Sequence, residues 1–181
     1  MVENLIKSSK LRALGELKGS TIDYSDLYPW IFRLTGVPEG TILDVGSNET
    51  RFYCWLKSQG LERKVISLDI RDLGYQHDFV RATAKALPFK DSSFDNVVSV
   101  GLSQLIAGTD YEAQFYNEIM SVARKRIIIW PTSDRVVAWL KNHLGLKIQT
   151  YDLYPNSESP EHLKTLMIEK RWFSFTPEVK T

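Results

Sequence analysis

Along the middle of the chain, short runs of apolar residues alternate with segments in which apolar residues recur at helical spacing. Between the runs, apolar side chains recur at helical spacings, as in Phe52, Trp55 and Leu56, which indicates helices. Strands that alternate with helices form right-handed βαβ units and a mostly parallel sheet with helices on both faces. The pattern therefore predicts an α/β fold with three layers. The compact apolar runs predict five strands, at residues 41–45, 65–70, 77–82, 96–100 and 126–130.

The two ends of the chain carry weaker patterns. Apolar positions before residue 35 recur at helical spacings and predict two short helices. After the fifth strand, Ser133 or Asp134 is placed to cap a helix that Gly145 would end, and residues 147–153 have strand character. The last predicted elements are a helix that begins at Ser159 and Pro160 and a strand at 172–175.

The chain shows no repeat, low-complexity tract or linker at which it would divide. At 181 residues it has the size of one domain. We therefore predict a single domain over residues 1–181, with an N-terminal helical cap at 1–35 and the α/β core at 40–181.

Composition and charge narrow the range of partners. With 43% hydrophobic and 25% charged residues the sequence is that of a globular protein. The formal net charge of +1 gives no overall attraction to nucleic acid or to anionic membranes. No apolar run approaches the roughly 20 residues of a membrane span. The N-terminal residues lack the apolar segment of a secretion signal. These features predict a cytoplasmic protein that does not act at a membrane.

The cysteine and histidine content gives no sign of a metal site. Cys54 is the single cysteine, so it cannot form an internal disulfide, and it is read as a small buried hydrophobic residue rather than a nucleophile. The 3 histidines do not have the spacing of metal ligands. We therefore predict no metal and a reducing compartment.

Acidic residues and a glycine stand where the first two predicted strands end. Asp44 and Gly46 close the first strand, and Asp69 closes the second. In α/β sheets ligands bind at the carboxyl ends of the strands, and a carboxylate there can accept hydrogen bonds from two ribose hydroxyls. A turn glycine and a helix-capping aspartate would give the same pattern, so both interpretations remain open.

A third segment makes the pattern more specific. Residues 79–95 contain a Leu87-Pro88-Phe89 turn followed by Ser93, Phe94 and Asp95. With the glycine loop and the strand-end acid upstream, this order resembles the class I S-adenosylmethionine-dependent methyltransferases. The resemblance covers residues 40–130 and implies a Rossmann-like sandwich that binds S-adenosylmethionine.

The resemblance also implies roles for individual residues at the methionine and ribose end of the cofactor. Asp44, Gly46, Ser47 and Asn48 occupy the positions that line the methionine part. Asp69 occupies the position that holds the ribose hydroxyls.

Four further positions correspond to the adenine and methyl end. Ile70 would pack on the adenine face, and Thr83 with Ala84 would contact the adenine edge. Gly101, at the end of the fourth predicted strand, would border the transferable methyl group.

The sequence also departs from the family pattern. Asn48 and Thr50 stand where the family has further glycines, and a Cβ at either position narrows the space for a ligand. Thr83 replaces an aspartate that contacts the adenine amino group. Ser103 and Gln104 stand where many small-molecule methyltransferases have a Glu-His pair.

Methyl transfer needs alignment of the reactants more than a fixed catalytic triad. If the nucleophile must lose a proton, the candidates by residue type are Asp110, Tyr111, His77 and His143. Asp110 is the first choice because it lies in the loop after the fourth predicted strand. Both histidines are more simply explained as structural.

The predicted function is methyl transfer from S-adenosylmethionine to a small-molecule acceptor. Nucleic-acid methylation is disfavoured because the chain lacks an Asn/Asp-Pro-Pro-aromatic run after the fourth strand, and the basic cluster at 124–126 is read as a solvated turn. A small dehydrogenase would need Gly-x-Gly-x-x-Gly after the first strand. The alternative is a noncatalytic methyltransferase-like subunit that acts through a protein partner, and a homo-oligomer also remains open. Aromatic side chains are candidates either for an acceptor site or for the core: Tyr24, Tyr28, Trp30, Tyr151 and Tyr154.

Overall fold

The computed structural model describes residues 27–72, 77–144, 147–152 and 164–170. The strands are β1 (Thr41–Val45), β2 (Lys64–Asp69), β3 (Phe79–Arg81), β4 (Phe94–Val100), β5 (Ala123–Thr132), β6 (Lys147–Asp152) and β7 (Lys164–Glu169). The helices are α1 (Tyr28–Thr35), α2 (Arg51–Ser58), α3 (Leu102–Ile106), α4 (Glu112–Val122) and α5 (Asp134–Leu144). None of the helices in these ranges is long and apolar enough to cross a membrane.

The strands form one sheet in the order β3-β2-β1-β4-β5-β7-β6. The pairs among β1 to β5 are parallel, whereas β7 runs antiparallel to both β5 and β6. Because β1 lies between β2 and β4, the chain leaves β1 in one direction and later returns on its other side. A crevice opens at such a reversal, beyond the carboxyl ends of the strands.

Helices cover both faces of the sheet. On one face, α1 and α2 pack their aromatic rings together, with the Phe32 and Phe52 centroids 5.1 Å apart. On the other face, α4 and α5 bury Phe115, Ile119 and Leu140 against the inner strands. The predicted α/β fold, mostly parallel and covered on both sides, is confirmed.

Strand lengths follow position in the sheet. β1 has the predicted bounds, but β3 is only three residues long and partly exposed, because it is the edge strand. β5 extends beyond the predicted 126–130 and continues through Pro131. That proline lies where the pairing of β5 with β7 is irregular, between the pairs made by Ile129 and Thr132. A residue without an N–H is tolerated at such an interruption.

The chain ends differ from the sequence prediction. β7 spans Lys164–Glu169, where a helix starting at Ser159 would have continued. Its antiparallel pairing with β5 and β6 buries Leu166 and Ile168, which a local pattern cannot anticipate. Several predicted features lie outside the described residues: the first N-terminal helix, Tyr24, Gly145, Tyr154, Ser159, Pro160 and the strand at 172–175.

The prediction that Cys54 is a small buried hydrophobic residue is wrong. Cys54 lies on α2, and its side chain is exposed. The inner face of this helix is filled by Phe52 and Leu56, so the cysteine points away from the sheet.

The interpretation of residues 124–126 as a solvated turn is also wrong, because these residues lie within β5. Arg124 and Lys125 both pair with the buried carboxylate of Asp95, and the Lys125 Nζ–Oδ1 distance is 2.9 Å. Thr41 donates to the same carboxylate from its backbone N–H at 2.9 Å. These contacts, the Thr41 bond foremost, hold the pKa of Asp95 far below its ordinary value.

An Asp95→Asn substitution is expected to lower the free energy of unfolding by about 2 kcal/mol, because charge-assisted hydrogen bonds are lost. A carboxyl with a lowered folded pKa contributes stability above its unfolded pKa and loses it as the pH falls. The difference should therefore be full at pH 7 and shrink below about pH 4. Urea unfolding at both pH values measures it. Glu62→Gln, which breaks an exposed pair with Lys57, should change stability by less than about 0.5 kcal/mol.

Candidate functional site

The turn after β1 brings the backbone close to the neighbouring strand. Gly46 has φ of +75° and donates its N–H to the Leu68 carbonyl at 2.8 Å. The backbone N–H of Ser47 donates to the same carbonyl at 3.0 Å. A Cβ on Gly46 would lie 2.8 Å from the Cβ of Leu102. Gly46 is therefore required both for its backbone conformation and for its lack of a side chain.

The two residues that replace family glycines keep the backbone conformation that glycine favours. Asn48 has φ of +50° and Thr50 has φ of +51°. Asparagine tolerates this left-handed region well, whereas a β-branched threonine seldom adopts it. The loop thus retains its turn in spite of the two side chains.

Asp69, at the end of β2, is the most heavily bonded acid of the turn region. Its Oδ2 accepts from the backbone N–H of Asn48 at 2.9 Å, and its Oδ1 accepts from the backbone N–H of Arg71 at 3.0 Å. The Arg71 guanidinium donates to both oxygens, at 3.1 and 3.3 Å. Burial alone would raise the pKa of Asp69, but the bonds from Arg71 and Asn48 outweigh it and lower the pKa. The carboxylate is therefore ionised at neutral pH.

One cavity of about 190 Å³ lies between the ends of β2 and β3 and the helices α3 and α4. Ile70 projects at its edge with 65% of its surface exposed, although isoleucine is normally buried. Thr83 and Ala84 form the opposite part of the wall. An apolar slot of this kind suits a flat aromatic ring.

A second cavity of about 310 Å³ continues from the first past the β1 turn. Ser47 is 4% exposed, lies against this cavity, and its Oγ has no hydrogen-bond partner among the described residues. A buried hydroxyl without a partner is costly unless a ligand or water satisfies it. The two cavities share four lining residues and therefore form one groove: Gly46, Asp69, Ile70 and Leu102.

Asp44 lies beneath the groove, within β1. It is 2% exposed, and its Oδ2 has no hydrogen-bond partner in the described part of the chain. Burial, followed by the nearby charge of Asp69, raises the pKa of Asp44 to about 8. Asp44 is therefore protonated at neutral pH while Asp69 is ionised.

Gly101 ends β4 at the far side of the larger cavity. Its φ is +92°, and its N–H donates to the Trp130 carbonyl at 2.7 Å. The left-handed conformation turns the chain directly into α3, so that Leu102 reaches the β1 turn and Leu105 lies at the cavity edge with 80% exposure.

The structure places eight of the nine predicted cofactor residues on the wall of this groove, whereas Asp44 is buried within β1 and lines neither cavity. Sequence reasoning did not assign Lys85 and Tyr111 to the adenine end. The Lys85 Nζ lies 3.0 Å from the centroid of the Tyr111 ring, and both residues line the smaller cavity. Because the two residues are far apart in sequence, this cation–π pair could not be predicted from the local pattern.

Among the candidate bases, Tyr111 lines the smaller cavity, whereas Asp110 and His77 line neither cavity. Asp110 is exposed in the loop between α3 and α4 and lines neither of the two cavities, so its catalytic assignment stays a prediction. His77 stacks on Tyr53 at 4.2 Å, and its Nε2 lies 2.9 Å from the Ser67 Oγ, which is a structural arrangement. The side chain of His143 lies outside the described residues.

The aromatic residues considered for a methyl-acceptor site lie partly at the groove and partly in the core. Tyr28 is 4% exposed and packs against Trp55 at 5.7 Å, yet it also touches the larger cavity. Trp30 and Tyr151 are partly buried and pack against the core of that face. Of these residues, only Tyr28 lies on the wall of the groove.

Sequence comparison identifies a family for the central part of the chain. A methyltransferase domain family matches residues 43–129, which include β1 to β5 almost entirely. No curated protein sequence matches this chain significantly.

Solved structures with the same fold are numerous. A 1,6-didemethyltoxoflavin-N1-methyltransferase from Burkholderia thailandensis, with bound 1,6-didemethyltoxoflavin and S-adenosylhomocysteine, is 14% identical, with a TM-score of 0.62 over 93% of this chain and 88% of that one. A TehB-like S-adenosylmethionine-dependent methyltransferase from Corynebacterium glutamicum is 15% identical, with a TM-score of 0.61 over 94% of this chain and 100% of that one.

A third neighbour is longer than this chain. It is a protein from an antibiotic biosynthesis pathway of Anabaena variabilis, 15% identical with a TM-score of 0.53, and the match covers 67% of this chain but 62% of that one. The family match and the strand order together bear out the resemblance seen in the sequence. Residues 43–129 accordingly match a methyltransferase domain family, and the chain has the class I, Rossmann-like fold of S-adenosylmethionine-dependent methyltransferases.

Proposed function

We propose that this protein binds S-adenosylmethionine in the groove and transfers its methyl group to a small-molecule acceptor. One observation carries the proposal. Asp69, ionised and oriented by two backbone N–H groups, lies between an apolar slot at Ile70 and a buried, unpartnered Ser47 hydroxyl. A nucleoside joined to an amino acid needs these three environments in this order.

The residues fit the cofactor from end to end. Asp69 would accept the ribose hydroxyls, and Ile70 would cover one face of the adenine, which explains its exposure. Ser47 would donate its hydroxyl to the methionine carboxylate, since that Oγ has no partner among the described residues. Thr83 would offer its hydroxyl to the adenine edge, although it already accepts from the Lys85 N–H at 3.3 Å.

The bound cofactor supplies an electrophilic methyl group, whose bond to sulfur breaks as the acceptor nucleophile forms its own bond to that carbon. The contribution of the chain to this step is alignment and exclusion of water. Gly101 lines the larger cavity at the end of β4, and Leu102 and Leu105 give that side of the cavity an apolar wall. Asp110 remains the proposed acceptor of a proton, reached only if its loop approaches the groove.

The acceptor is proposed to be a small molecule. The Burkholderia neighbour, which shares the fold along most of this chain, has 1,6-didemethyltoxoflavin and S-adenosylhomocysteine bound. The end of β4 carries Gly101 and Leu102 rather than the residues of amino-group methylation in nucleic acids. A cytoplasmic location is part of the same proposal.

Isothermal titration with S-adenosylmethionine and S-adenosylhomocysteine tests the cofactor site. We expect saturable binding, and a loss of at least about tenfold in affinity for Asp69→Ala because both ribose hydroxyls lose a charged acceptor. Asp91→Asn, which alters an exposed acid outside the groove lining, should bind as the unaltered protein does.

NAD serves as the negative control in the same experiment. Saturable binding of NAD with no binding of S-adenosylhomocysteine would contradict the cofactor assignment. No binding of either ligand by the folded protein would replace the enzyme proposal with the noncatalytic subunit.

A further inference from the structure

All the hydrogen-bond acceptor positions of the Asp69 carboxylate are already occupied. A carboxylate offers about four lone-pair positions for hydrogen bonds. The backbone N–H groups of Asn48 and Arg71 take one position on each oxygen, and the Arg71 guanidinium takes the other on each, through Nε at 3.1 Å and Nη2 at 3.3 Å. No position is left for the two hydroxyls of a ribose.

The guanidinium has a second anchor. Its Nη2 donates to the side-chain oxygen of Asn48 at 2.6 Å. Asn48 stands where the family has a glycine, which has no side chain to accept such a bond. Asn48, which replaces a glycine of the family, thus helps to hold the Arg71 side chain in place. Both residues line the larger cavity.

We infer that the Arg71 side chain, held by Asn48, is an internal competitor for the ribose subsite, and that binding of the cofactor displaces it from Asp69. This inference rests on the proposed function. The two backbone N–H donors remain in place when the guanidinium leaves, so Asp69 stays oriented and ionised. The ribose hydroxyls then take the two positions that become free.

The strength of this competition is limited by solvent. The Arg71 side chain is 55% exposed, whereas that of Asp69 is 8% exposed. Exposed ion pairs contribute little, so the guanidinium is displaceable and its removal should raise cofactor affinity by about two- to fivefold. An arginine that instead contacts the cofactor would give the opposite sign, because its loss would weaken binding.

The test is titration of S-adenosylhomocysteine into the unaltered protein, Arg71→Ala, Asn48→Gly and the double variant. We expect tighter binding to Arg71→Ala and a smaller gain for Asn48→Gly. The double variant should gain less than the product of the single gains, because both changes release the same side chain. Arg33→Ala removes an equal charge from α1, outside both cavity linings, and should leave binding unchanged.

A second readout separates competition at the ribose from a general change of charge. Adenosine and 2′,3′-dideoxyadenosine are titrated by NMR, and the gain in Arg71→Ala should appear for adenosine and vanish for the dideoxy compound. Thermal unfolding establishes that each variant is folded.

Equal or weaker binding of S-adenosylhomocysteine by folded Arg71→Ala, when the unaltered protein binds it, would overturn this inference and leave the proposed function intact. Binding by Arg71→Ala alone would support both. Absence of binding to every variant and to the unaltered protein would overturn the proposed cofactor site itself.

Discussion

Asp44→Asn is expected to stabilise the protein by about 1.5 kcal/mol at pH 5 and by a larger amount at pH 8. The folded pKa of Asp44 is raised to about 8 from an ordinary value of 3.8. Between these values the folded state keeps a proton that the unfolded state has released. The free energy of unfolding therefore falls with rising pH, by about 1.4 kcal/mol for each unit. Asparagine is neutral at every pH, so the variant does not lose this free energy of unfolding as the pH rises.

Urea unfolding of both proteins at pH 5, 6, 7 and 8 measures the effect. The quantity to compare is the difference in free energy of unfolding between the two proteins, since it cancels groups that do not interact with Asp44, such as His77. At pH 8 the variant should be more stable by at least about 2 kcal/mol. A difference that does not change with pH would show that Asp44 is ionised in the folded protein.

Gly46→Ala is expected to cost about 3 kcal/mol of folding stability and to weaken binding of S-adenosylhomocysteine more than about tenfold. The strained φ of +75° accounts for part of the loss. The rest comes from the overlap of the new Cβ with Leu102, 2.8 Å from its Cβ and 2.9 Å from its Cδ2. Relief requires α3 to move away, which would widen the junction of the two cavities.

The Gly60→Ala variant separates the cost of backbone strain from the cost of steric overlap. Gly60 has a similar φ of +67°, but a Cβ there would meet no heavy atom within 4 Å. We expect it to cost about 1 kcal/mol in urea unfolding and to leave cofactor affinity unchanged. Equal losses for the two alanine variants would contradict the close contact between the β1 turn and α3.

Much of the groove was predictable because ligands in α/β sheets bind at the carboxyl ends of the strands, and strand ends can be read from the local sequence. Asp44, Gly46 and Asp69 follow compact apolar runs, so their position at one edge of a parallel sheet follows from the α/β pattern. The Leu87-Pro88-Phe89 turn then distinguished one family from other nucleotide-binding proteins. Each of these signals is carried by a few neighbouring residues.

The features that were missed depend on residues distant in sequence. Lys85 meets Tyr111 at the smaller cavity, and Arg71 meets Asn48 across the β1 turn. The interpretation of the basic cluster failed for the same reason, because its partner Asp95 lies on the adjacent strand. Charge alone indicates a solvated position, and only the tertiary structure shows that Arg124 and Lys125, with side chains 39% and 62% exposed, pair with a carboxylate that is itself buried.

Local sequence by itself determined the βαβ order, the strand-end acids and the left-handed turns, because strand burial and backbone conformation depend on neighbouring residues. Tertiary structure alone decided the antiparallel placement of β7, the raised pKa of Asp44 and the hydrogen bond from Arg71 to Asn48 beside Asp69. Sheet pairing, desolvation and hydrogen bonding each require that segments far apart in the chain be brought into contact.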